Sequence, residues 1–190
     1  FGANIAGISV LIGTVFFFVN KTLEKQSFRD SGFDMKAITT NFKNAEILYL
    51  VFLPLIMNAV CITIAKLFLP KYIGHVLGRT GSFLSFDKII LLIFQLVVLA
   101  LGEEIAWRAF FQNQLSKTLS AIPALLISSI LFTIGHFTEG SAIIVAYDIF
   151  FIFINGILYG VLFHKTNNAW VSAIAHFMAN VFSVIILVFI

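Results

Sequence analysis

Hydrophobic residues run along this chain in long blocks and neither alternate nor recur on one helical face. Six blocks reach or approach the roughly 20 apolar residues that a helix needs to cross a hydrocarbon core about 30 Å thick. They are Phe1 to Val19, Ile47 to Leu69, Ile89 to about Phe111, Ala121 to Phe137, Ser141 to Phe163 and Ala169 to Ile190. Backbone polar groups in lipid must be satisfied within the segment or by a closed barrel, and none of the blocks has the alternating pattern of barrel strands. The pattern predicts an all-α, polytopic transmembrane helical bundle of about six spanning helices. Polar loops from Asn20 to Glu46 and from Pro70 to Lys88, a link near Ser116 to Ser120, and turns near Thr138 to Gly140 and Lys165 to Asn168 join them. No Ser/Gly/Pro-rich linker, low-complexity tract or repeat divides the blocks, so residues 1–190 read as one membrane-embedded domain.

Composition strengthens that reading. The chain is 60% hydrophobic and 11% charged, has 23 phenylalanines in 190 residues and a mean hydropathy of +1.03. A soluble domain is about half apolar and a quarter charged, so a water-soluble protein is excluded. The expected setting is the cell membrane, multi-pass, with the lipid bilayer as first partner. The sequence starts at Phe1 with no charged n-region of a cleavable signal, which leaves open a further segment upstream. Alternating the connections across the bilayer puts Lys21, Lys25, Arg29, Lys36, Lys43, Lys117 and Lys165 on one side and Lys71, Arg79 and Lys88 on the other. Seven against three makes the first side cytoplasmic by the positive-inside bias. These loop residues account for the net charge of +3, so nucleic acid is not expected as a partner. The lone Cys61 has no partner for an internal disulfide and reads as a packing residue.

Within this apolar background a few polar residues stand out. Fourteen uncharged residues, Ile89 to Gly102, run directly into Glu103 and Glu104, with Arg108 four residues on. A charge at the centre of a membrane helix costs on the order of 2.5–3.5 kcal/mol, so these side chains should face inward and pair. Glu104 and Arg108, four apart with the acid first, fall on one face in the favourable order. Glu103 lies about 100° around the helix and is left over. An unpaired glutamate among apolar residues suits a general base or acid.

Its candidate partners are His136, ending "FTIGH", and His176 and Asn180, which share one face of "HFMAN". If the third and fourth helices form a hairpin turning between Leu119 and Ser120, residues whose numbers sum to 239 lie level, and Glu103 and His136 do. These groups are expected to converge in a cavity open to the lysine-rich side. Asp148, Asn155, Gln95 and Asn58 read as structural polar residues. Ser128 and Ser129 lack a nearby catalytic lysine or G-x-S-x-G, which argues against a serine protease. Two glutamates and two histidines could instead hold zinc, although H-E-x-x-H is absent and Arg108 puts a cation beside the site. No cofactor and no metal are expected.

"EEIAWR", "FTIGH" and "HFMAN" fit the E-E-x-x-x-R, F-x-x-x-H and H-x-x-x-N motifs, in order, and so the chain resembles the CAAX protease and bacteriocin-processing family of intramembrane glutamic endopeptidases. The resemblance spans about residues 86–183. The approach "TNNAWVSAIAH" also fits, while Ala109 stands where the family commonly has glycine. The resemblance implies that Glu103 with His136 activates a water to attack a peptide carbonyl. It further implies that His176 and Asn180 donate to the oxyanion and that Glu104 with Arg108 holds Glu103 in place. The implied substrate is a membrane-associated or lipidated peptide or protein. It also leaves a second possibility, a non-catalytic member that binds and regulates another membrane or cell-wall enzyme. The first two apolar blocks carry no motif.

Overall fold

The computed structural model describes residues 2–81 and 84–189, with side chains from 5 to 187 except 82 and 83; Phe1 and Ile190, the ends of the first and last apolar blocks, lie outside the described residues. Among the described residues there are eight helices and no strand: α1 (Gly2–Leu23), α2 (Ala37–Lys43), α3 (Ala45–Phe68), α4 (Lys71–Thr80), α5 (Ile89–Leu115), α6 (Ala121–Gly135), α7 (Ala142–Thr166) and α8 (Ala169–Phe189). Five of them, α1, α3, α5, α7 and α8, are long and apolar enough to cross a membrane. The fourth apolar block departs from expectation: α6 has 15 residues, about 22 Å at 1.5 Å per residue, short of a full span. Two further helices lie inside stretches read as polar loops. α2 is a seven-residue segment without buried residues, and α4 buries Tyr72 and Val76 while Lys71 and Gly74 face outward.

α8 is the centre of the bundle, packing on α3, α5 and α7. Its buried face is built from small residues, Ala169, Ala173, Ala175 and Ala179, which let three neighbouring helices approach it closely. The outer faces of α1, α3 and α5 expose Leu11, Val15, Ile56, Phe94 and Ile90, the apolar exterior that lipid contact requires. α1 packs on the second half of α5, where a Cβ on Gly13 would sit 2.5 Å from that of Ala106, so only glycine permits the approach.

The first polar loop is folded onto the helix ends, not loose. Gly32, at φ +88°, lies against Phe163 and accepts a bond from Ala169 N (2.7 Å), while Asn168 Nδ2 donates to Asp34 O (2.7 Å). Asn168 Oδ1 in turn accepts from Trp170 N (3.2 Å), capping α8. Two ion pairs tie connections on this face together, Lys117 to Glu24 (2.6 Å) and Lys165 to Glu46 (2.8 Å). The opposite face is held by Asp148, which receives Tyr72 Oη (3.1 Å) and pairs with Arg79, and by Thr138 against His75 (3.2 Å). Burial, then the neighbouring Asp148 carboxylate, pushes the Tyr72 hydroxyl far above the ordinary phenol range. Loops expected on the same side are therefore in contact, and the α4 region lies at the other end of the bundle.

Candidate active site

α5 changes character at the charged triplet. Glu103 and Glu104 close its α-helical part, and Ile105–Gln112 continue with the wider i→i+5 ladder of a π-helix, a rare feature that gathers at functional sites. Ser128 Oγ of α6 donates to Trp107 O (3.1 Å) within this stretch. Arg108, fully buried, reaches across to α7 and donates from a terminal nitrogen to Gly156 O (3.0 Å), and Gln112 Nε2, one turn on, donates to Gly160 O (2.9 Å). Those glycines are one turn apart on α7, and a Cβ at Gly156 would meet the Phe132 ring at 3.2 Å. The guanidinium lies over the face of Phe132 (4.7 Å to the ring centre) and near that of Tyr159 (5.8 Å), so aromatic faces supply part of what water would otherwise give the cation.

Glu104, also fully buried, is 3.5 Å from Arg108 Nε through Oε2. Its other oxygen, Oε1, lies 3.0 Å from His176 Nδ1 on α8. Arg108 is always protonated and pairs with the carboxylate, so Oε1 is an acceptor and His176 Nδ1 carries the hydrogen. Tyr159 stacks flat on the imidazole, with ring centres 4.3 Å apart and planes at 16°. His176 is thus held by a charged partner at its edge and an aromatic ring at its face.

His136 is the C-cap of α6, at φ −94° and ψ 2°, in the bridge region where active-site residues often sit. Its Nδ1 lies 2.8 Å from Phe132 O, one of the carbonyls a helix end leaves over. A carbonyl only accepts, so Nδ1–H donates and the ring presents Nε2 to the interior. Glu103 stands between the two histidines. Its Oε1 is 3.7 Å from His136 Nε2 and its Oε2 is 3.7 Å from His176 Nε2. Both separations exceed a direct hydrogen bond, yet one water oxygen can lie within reach of both partners.

Glu103, His136, His176 and Asn180, one turn beyond His176, line a cavity of about 730 Å³ shared with Phe132, Tyr159 and Asn155. The cavity does not run toward the lysine-rich face, as the sequence suggested. It continues along α7 and α8 to Tyr72, Arg79, Asp148 and Leu187, the α4 end of the bundle. The short α6 and its return turn, together with α4, wall that end, and the loop 24–36 packed on the start of α8 occupies the other.

All six residues singled out from sequence are therefore in one neighbourhood. Phe132, the first residue of "FTIGH", packs among them, and the structure adds two that the sequence did not mark: Tyr159, one aromatic in an aromatic-rich chain, and Gly156, whose carbonyl holds Arg108. The residues read as structural do bond locally. Asn155 Nδ2 donates to Asn58 Oδ1 (2.7 Å), Asn58 Nδ2 to Ser183 Oγ (2.9 Å) and Ser85 N to Gln95 Oε1 (3.0 Å). Cys61 is buried with its thiol 3.4 Å from Tyr72 Oη. Among the described residues no group of three or more His, Cys, Asp or Glu side chains has the arrangement to hold a metal ion.

Neither the curated proteins nor the solved structures contain a match to this chain. The family described as Type II CAAX prenyl endopeptidase Rce1-like matches residues 85–182, more than half the chain and the stretch that carries Glu103, Glu104, Arg108, His136, His176 and Asn180. This multi-pass, all-helical membrane protein belongs to the Rce1-like family of CAAX proteases.

Proposed function

We propose that the chain is a glutamic-type intramembrane endopeptidase of the cell membrane that hydrolyses a peptide bond in a membrane-associated or lipidated peptide. The observation that carries this reading is Glu103, set between His136 and His176 at 3.7 Å from each, at the wall of a cavity inside the bundle. Glu103 Oε1 and His136 Nε2 hold the attacking water. Since His136 Nδ1 is committed to Phe132 O, Nε2 is an acceptor, and carboxylate and imidazole draw the water's proton together. Attack on the scissile carbonyl places negative charge on its oxygen. Asn180 and His176 donate to that oxyanion, a contribution of about 2.7–4 kcal/mol for each well-placed donor. No covalent intermediate is required.

Glu104 and Arg108 were expected to hold Glu103; since Glu104 bonds His176 and Arg108 bonds Gly156 O, our reading gives them the task of anchoring His176 and joining α5 to α7. The cavity's apolar walls, including Val10, Leu99, Phe151 and Val184, suit a substrate that arrives from lipid, and the family's description points to prenylated peptides.

The test uses purified full-length protein in vesicles with a panel of prenylated and other membrane-associated fluorogenic peptides. Glu103→Gln and His136→Ala should each lower cleavage by on the order of 10²–10⁴-fold with an unchanged melting temperature. Cleavage that survives Glu103→Gln refutes the reading. A wild-type protein that cleaves nothing but captures a membrane or cell-wall enzyme from membranes favours a scaffold, and inhibition by chelators favours a zinc enzyme.

A further inference from the structure

We infer that His176 is the proton donor to the departing peptide nitrogen, and that Glu104, backed by Arg108, is the positioning residue that equips it for that step. The inference rests on the protease reading above and assigns a part of the reaction that the water-activating pair leaves unassigned.

Hydrolysis of an amide has two proton problems. The water must lose a proton when its oxygen bonds to carbon, and the nitrogen must gain one when the C–N bond breaks, because an amide anion is too poor a leaving group to depart alone. Glu103 and His136 address the first. The second needs an acid within reach of that nitrogen. His176, facing Glu103 from α8 across 3.7 Å, is a titratable group beside the water-activating pair that is not spent on the first.

The geometry of His176 makes its hydrogen-bonding roles explicit. Nδ1 lies 3.0 Å from Glu104 Oε1 and donates to it. Nε2 can then donate, to an oxyanion or to anything else, only when the ring carries both protons. The surroundings are built for that form. A carboxylate faces each ring nitrogen, Glu104 at Nδ1 and Glu103 at Nε2, and the Tyr159 ring lies flat on the imidazole face at 4.3 Å, as suits a cationic ring. Arg108, 3.5 Å from Glu104 and bound to Gly156 O, keeps the carboxylate in register with Nδ1. A ring arranged only to donate a static hydrogen bond has no need of a buried carboxylate behind it.

The steps balance. In the first, a water O–C bond forms, the carbonyl π pair moves to oxygen, and the water's proton passes to Glu103. In the second, the oxyanion pair returns to re-form C=O, the C–N bond breaks, and the nitrogen takes the proton from His176 Nε2, leaving a carboxylic acid and a free amine. Glu103 is then protonated and His176 neutral. Across the 3.7 Å between Glu103 Oε2 and His176 Nε2, a bridging water returns the proton and restores the starting state. One water is consumed, and nothing is oxidised or reduced.

The test varies the leaving group. A prenylated fluorogenic peptide ending in a CAAX tetrapeptide is compared with the same peptide carrying a thioester at the scissile position, whose thiolate departs without a proton. His176→Gln keeps an N–H donor but has no proton to release. It should lower kcat for the amide by on the order of 10²–10⁴-fold and for the thioester by less than about tenfold. Glu104→Gln should show the same selectivity, and it carries the comparison should His176→Gln not fold. Asn180→Ala, which removes an oxyanion donor alone, should slow both substrates alike. Equal losses on amide and thioester in His176→Gln and Glu104→Gln overturn the inference and leave the protease reading standing. A wild-type protein that cleaves neither substrate overturns the protease reading itself.

Discussion

Arg108 shows how one residue can serve chemistry and stability together. It is fully buried, pairs with Glu104, donates to Gly156 O and lies on Phe132. Removing one member of a buried ion pair leaves the other charge unpaired, at about 3–5 kcal/mol, whereas removing both charges is often nearly neutral. Arg108→Met should therefore lower the melting temperature in detergent sharply, and adding Glu104→Gln should recover much of the loss. A double variant no more stable than Arg108→Met would mean that the Gly156 and Phe132 contacts, not the pair, set the cost. Glu103, Glu104, Arg108, His136 and His176 were legible in the sequence because each is a charged or titratable side chain within an apolar run. The Glu104–His176 contact was not, since it joins residues 72 apart and depends on how α5 and α8 pack. Tyr159 was invisible for the opposite reason: aromatic residues are so common here that one stands out only where a motif such as "FTIGH" marks it, as it does Phe132.

At the level of elements, the helices that span were legible from length and apolarity, while their irregularities were not. Hairpin arithmetic brought Glu103 and His136 together with a turn between residues 119 and 120. The link between α5 and α6 occupies residues 116–120, centred on Thr118, which pairs Glu103 in height with Thr133. His136 lies three residues deeper, about 4.5 Å, a gap closed by two long side chains and by the C-cap position of the histidine. The π-helical stretch left no mark in the sequence; in the structure it packs against α1, α6 and α7. Gly156 and Gly160 are a G-x-x-x-G pair whose purpose becomes visible only with α5 in place. A Cβ at Gly160 would lie 2.8 Å from Gln112 Oε1, the side chain that donates to Gly160 O. Gly160→Ala should therefore cost about 1–3 kcal/mol, read as a lower melting temperature. Because Gln112 lies one turn beyond Arg108, it should also slow cleavage, while Gly74→Ala, on an open face of α4, should do neither.

For the molecule as a whole, the question is which end faces which compartment. Contacts fix the relative answer. Lys117 pairs with Glu24 and Lys165 with Glu46, so the connections that carry most of the basic residues share one end, and Lys71 and Lys88 flank the α4 region at the other, where the cavity ends. Lys117 bonding holds the Glu24 carboxyl below the ordinary carboxylate range. The pair is thus fully formed above that range and is lost as pH falls through the lowered value, a weak effect at an exposed site. The seven-to-three imbalance of basic residues is the ground for expecting the lysine-rich end on the cytoplasmic side. In a Cys61→Ser background, single cysteines at Lys117 and Lys165 should react with a membrane-impermeant maleimide only after the cytoplasmic face is opened. Cysteines at Lys71 and Lys88 should react from outside in intact cells. Lys117 and Lys88 reacting from one side would contradict the helix order itself, whereas a clean reversal of both pairs would keep the fold and turn it over. In the reversed case the cavity's α4 end would face the cytoplasm, and substrates made there would reach Glu103 without crossing the bilayer.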